Sequence, residues 1–175
     1  MEPTFIPQQV SRYSQRDFPA YRFLPFTDLP HPRNDPRGHS WGKEEVPIGS
    51  FDEQAWRECE PYLYGVDLFN HGYWWEAHEA WEGLWLVAGR ESLAGQFLQG
   101  LIQLAGAQLK RFTGVPRGAR LLSQTAFEKL ALPDGVYLGI DGRQLVELAK
   151  RLLEEDRNEY PRIELEFGDR PRTKG

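Results

Sequence analysis

The strongest constraint on this chain is the placement of its prolines. Eight of the 13 (Pro3, Pro7, Pro19, Pro25, Pro30, Pro32, Pro36 and Pro47) fall within residues 1–50. Each proline removes a backbone donor and fixes φ, so no regular helix can run through that stretch. Residues 1–50 therefore read as an extended arm. Phe5, Ile6, Tyr13, Phe18, Tyr21, Phe23, Leu24, Phe26 and Trp41 give the arm apolar groups to bury, unlike the composition of a solvated tail. The expectation is an arm wrapped over a folded body.

The body, residues 51–167, has the periodicity of helices. Ser50 with Glu53 has capping-box spacing, which predicts a helix from Phe51 or Asp52 towards Asn70, kinked or restarted at Pro61. His71 and Gly72 read as its stop. A second helix is expected over about Tyr73 to Ala88, ended by Gly89, and a third over about Ser92 to Phe112. Pro116 suits the first turn of a fourth helix reaching about Leu130. Asp141 followed by Gln144 caps a fifth, expected to reach about Asn158. No strand-like alternation competes. The fold class is all-α: an antiparallel bundle of about five helices with the arm over it. The tail 168–175 is expected to be disordered.

The stretch WWEAHEAWEGLW, residues 74–85, concentrates four tryptophans, one histidine and three glutamates. On a helix, Trp74, Ala77, Trp81, Leu84 and Ala88 recur at steps of three and four and form a buried stripe. His78 and Glu82 are one turn apart, so their side chains point the same way, half buried beside Trp85. Glu76 and Glu79 are expected to face solvent more than Glu82 does. The HEAWE segment differs from the zincin pattern, because Glu82 stands where the second histidine would be. An imidazole with a carboxylate can act as acid and base, anchor a ligand or hold a metal; it can also be a structural pair.

The arm carries a second polar cluster in PHPRNDPRGHSWG, residues 30–42. His31, Asp35 and His39 are spaced by four, yet Pro30, Pro32 and Pro36 rule out one helix face. If the arm crosses the second helix, His31, Asp35 and His39 meet His78 and Glu82, a donor set suited to Zn, Mn, Fe or Ni. On the third helix Gln96, Gln99 and Gln103 form a row that either lines a polar groove or faces water. Lys110, Arg111, Arg117 and Arg120 surround a helix junction and read first as partners of the helix dipole. Cys59 lacks a nucleophile's setting.

LFNHGYWWEAHEAWEGLW and FLQGLIQLAGAQLKRFTGVPRGARLL together resemble the bacterial and archaeal domain-of-unknown-function family 309. The likeness spans about residues 60–130 and rests on His78, Glu82, Trp85, Gln99 and Gly100. It implies a small all-α domain of antiparallel helices and carries no established activity. The arm looks like an extension of that domain.

A formal net charge of −5 and pI near 5.4 argue against a nucleic-acid or anionic-membrane coat. No apolar run approaches a bilayer span. One cysteine and the lack of a leader pattern suggest the reducing cytoplasm. The leading functional expectation is a pocket around His78, Glu82, Trp85 and Gln99 that binds a small polar ligand or a divalent transition metal under the arm. A metal-assisted hydrolase would use His31, His39, His78 and Glu82 as ligands and Glu79 or Asp35 as base. A third reading is an interaction module whose tryptophan-rich face docks a partner or a second copy as a homodimer.

Overall fold

The computed structural model describes residues 10–155 and 158–168. Among the described residues the fold is all-α apart from one minute hairpin. A short 3-10 helix over Glu53–Glu58 leads into α1 (Glu60–Asn70), followed by α2 (Trp74–Ala88), α3 (Leu93–Phe112), α4 (Pro116–Leu130) and α5 (Gly142–Glu154). The hairpin pairs Val136 with Asp141 and Tyr137 with Ile140, antiparallel, where the sequence alone reads as a turn. Leu138 and Gly139 form its loop and both have positive φ. The tail expected to be disordered lies, from residue 169 on, outside the described residues, as do Phe5 and Ile6 of the arm.

Local chemistry sets the helix ends. Ser92 caps α3 by accepting from the Gly95 amide, and Asp141 caps α5 by accepting from the Gln144 amide. Pro61 and Pro116 lie in the first turns of α1 and α4, where a missing N–H costs nothing. The Ser50 capping box does not form. Asp52 instead accepts from the Gln54 amide, and the segment takes the tighter 3-10 form before the chain restarts as α1. Helix α5 ends at Glu154, earlier than expected.

Helix α3 packs against α2 and α4, and α2 packs against α1. The α2 stripe Trp74, Ala77, Trp81 and Leu84 is buried, facing Phe97, Leu101, Leu104 and Ala105 of α3 across one core. Close approach of α1 and α2 depends on Gly65, where an added Cβ would fall 2.1 Å from Trp81 Nε1. That indole donates to the Tyr62 carbonyl at 3.2 Å. Every α1 residue from Tyr62 to Asn70 is buried, because the arm and the C-terminal segment cover what α2 leaves open.

Two polar side chains of α1 fasten those covers. Asp67, with no exposed surface, accepts from the Tyr13 and Ser14 amides at 2.8 and 2.9 Å, from the Ser14 hydroxyl and from Arg12 Nε. Asn70 donates to the Ile163 carbonyl and accepts from the Ile163 amide, both at 2.8 Å. In the C-terminal segment, which lies outside any helix, Ile163 and Leu165 turn inward, and Tyr13 Oη accepts from the Leu165 amide. The arm wraps the body as expected, although Trp41 and Phe26 remain exposed on it. Among the described residues, no helix is long and apolar enough to cross a membrane.

Candidate functional site

Helix α2 carries the candidate residues in two groups, and the arm reaches both. Under the arm, Glu76 is buried at 5% exposure, although the sequence suggests that it faces solvent. Its helix position faces away from the Trp74–Leu84 stripe, and the arm covers that side too. Glu76 Oε1 accepts from the Phe23 amide at 2.7 Å and lies 2.9 Å from His39 Nε2. His39 Nδ1 is 2.8 Å from the Ser40 hydroxyl. An imidazole that donates from Nε2 to Glu76 Oε1 and accepts at Nδ1 from the Ser40 hydroxyl satisfies both ring nitrogens. Glu76 Oε2 is buried without a hydrogen-bond partner.

Burial sets the electrostatics of this pair. It pushes the Glu76 carboxyl up to about 7, against the pull of the Phe23 amide. It lowers His39, with Lys43 adding to the effect. The neutral forms of both groups are thereby favoured. His31 instead braces its own turn of the arm. Its Nδ1 accepts from the Arg33 and Asn34 amides, and its ring stands edge-on to Trp75, which also meets Phe23.

On the partly exposed side, His78, Glu79 and Glu82 come together. One donor atom from each lies within 4.8 Å of the other two. His78 Nδ1 is 3.8 Å from Glu79 Oε1, and Nε2 is 3.9 Å from Glu82 Oε2, both beyond hydrogen-bond reach. The ring thus lies between two carboxylates without bonding either. Spacing explains the grouping: residues 78 and 82 are one turn apart on one helix, and residue 79 is their neighbour. Trp85 follows three residues after Glu82, half buried, with its indole N–H lacking a hydrogen-bond partner and Arg90 over its ring at 4.9 Å.

The expected meeting of His31, Asp35 and His39 with His78 and Glu82 does not occur. His39 is engaged by Glu76 and His31 by its own turn, while Asp35 pairs with Arg37, which lowers its carboxyl to about 2 through hydrogen bonds from that side chain. The proline-rich turns of the arm direct His31 to Trp75 and His39 to Glu76. Glu79 is held by Arg33 of the arm, so neither expected base is free of a cation. Gln99 is half buried on α3 and makes no hydrogen bond to His78; Gln108, farther along α3, is buried with an unpartnered Oε1. Arg111 donates to the Leu152 and Glu159 carbonyls and covers Tyr160, a structural role rather than an anion site. Burial raises the Cys59 thiol, which suits an inert residue. A pocket of about 190 Å³ lies elsewhere, between arm residues Arg22 to Thr27 and the end of α3 at Phe112 and Thr113.

Sequence reasoning missed Glu76 and Asp67. Asp67 did leave a signal, a lone acid within the apolar run Leu63 to Phe69. Residues 62–122, which span most of α1, all of α2 and α3 and the start of α4, match the family model described as Domain of unknown function (DUF309). The matched segment contains His78, Glu79, Glu82, Trp85 and Gln99 and excludes the arm. No curated protein matches the chain.

Proposed function

We propose, for a chain that belongs through residues 62–122 to this family of unknown function, that it binds a divalent transition cation through His78, Glu79 and Glu82. The observation that supports this reading is the mutual approach of one imidazole and two carboxylates to within 4.8 Å on one helix. One nitrogen and two oxygens suit zinc, manganese or ferrous iron. Three protein donors leave coordination positions for a small polar ligand, and Trp85 offers an aromatic wall one turn away. Binding is favoured over hydrolysis, because Glu79 and Asp35 are each paired with an arginine.

The test is elemental analysis of the purified untagged protein, before and after incubation with zinc and manganese, beside three variants. Roughly one equivalent is expected in the wild type, lost in His78→Ala and reduced in Glu82→Gln. His39→Ala should keep its metal, because His39 bonds Glu76 instead. A wild type that takes up no metal under either condition refutes the reading. Loss of metal in His39→Ala would restore the site shared between arm and helix. A second reading, docking, is supported by Leu86, Val87 and Leu93, exposed around the turn between α2 and α3. Sedimentation of the same samples decides it: a monomer at all concentrations, with and without zinc, counts against a second copy.

A further inference from the structure

Glu79 divides its two oxygens between helix and arm. Oε1 faces His78, and Oε2 pairs with the Arg33 guanidinium. The same Arg33 nitrogen also pairs with Glu45, farther along the arm. A cation supplied by the chain itself thus already occupies part of the cluster. Resting on the metal reading above, we propose that Arg33 is a built-in competitor for the His78–Glu79–Glu82 site, which a divalent cation must displace from Glu79 and which makes the site selective against monovalent ions.

The exchange is physically cheap for a dication. Arg33 is 40% exposed and keeps Glu45 when Glu79 is taken, so no charge is left buried and alone. The arm does not have to leave. It remains fastened to α2 by the Phe23 amide and His39 on Glu76, and to α1 by the Tyr13 and Ser14 amides on Asp67. Displacement is therefore a side-chain movement, in which Glu79 turns fully towards His78. A monovalent ion would trade one unit charge for another and give up the guanidinium's ion pair with Glu79. A divalent ion doubles the attraction to both carboxylates at the same distance.

The experiment is calorimetric titration of zinc into the full chain at fixed ionic strength, for the wild type and the Arg33→Gln, Arg33→Lys, Arg37→Gln and His78→Ala variants. Removing a partly exposed ion pair worth about 1 kcal/mol tightens the zinc Kd about fivefold in Arg33→Gln. Arg33→Lys, which keeps the charge but loses the fork, should fall between that variant and the wild type, and it carries the test if the glutamine variant fails to fold. Arg37→Gln removes the same charge from the same arm without touching Glu79 and should match the wild type. Equal tightening in Arg33→Gln and Arg37→Gln would mean general electrostatics and overturns the proposal. Unchanged or weaker binding in Arg33→Gln overturns it as well, while zinc binding that His78→Ala abolishes leaves the metal reading intact. Zinc binding to none of the proteins removes both.

Discussion

Replacing Glu76 by glutamine isolates the energetics of the acid under the arm. Gln keeps the shape and an oxygen that accepts from the Phe23 amide and from His39, but it cannot ionise. In the folded protein Glu76 holds its proton up to about 7, against 4.5 in the unfolded chain. Because the folded value is the higher one, the stability this group contributes is complete below the unfolded value and is lost as pH rises through the folded one. The full difference is about 3 kcal/mol, of which about 2 to 3 kcal/mol should appear between pH 5 and pH 8. His39, lowered by burial, acts in the opposite sense and loses stability as pH falls; because it bonds Glu76 directly, the comparison is repeated in a His39→Ala background, which removes its contribution. The assay is urea unfolding followed by tryptophan fluorescence across that range, with EDTA present to keep cations off His78. Relative to the wild type, Glu76→Gln should become steadily more stable as pH rises. Parallel stability curves for the two proteins would refute a buried, proton-holding carboxyl at this position.

Two further substitutions test the fastenings of the fold. Asp67→Ala leaves the Tyr13 and Ser14 amides and Arg12 without their acceptor and should cost about 3 to 5 kcal/mol, or detach the arm at a smaller cost. Chemical unfolding together with limited proteolysis of residues 10–50 separates these outcomes; an unchanged midpoint with an arm that stays protected would contradict the assigned role. Gly65→Ala pushes a methyl into the fully buried Trp81 ring, so overpacking should outweigh the gain of about 1 kcal/mol in helix propensity and destabilise the protein by about 2 kcal/mol. A stabilised variant would mean that α1 and α2 can separate without loss.

The sequence by itself determined most of the helical body. The steps from Trp74 to Leu84 and from Phe97 to Ala105, the caps at Ser92 and Asp141, and the prolines that open α1 and α4 are local signals. Helix periodicity and capping depend on residues within one or two turns, so a sequence can specify them without knowing what lies across the core. That His78 and Glu82 lie one turn apart on the same side of α2 was legible for the same reason. What only the tertiary structure decided is which second element each polar group meets. Glu76 lies off the main stripe and reads as solvated until Phe23 and His39 cover it. His39 has the residue type of a metal ligand but meets Glu76 rather than His78, because the proline-fixed turns of the arm set its path over α2. Asp67 and Asn70 hold segments 53 and 93 residues away in sequence, through contacts that no local pattern encodes. An extended arm without periodicity has no preferred face of its own. Its register is set by the buried hydrogen bonds it completes, and these exist only once the helices have packed.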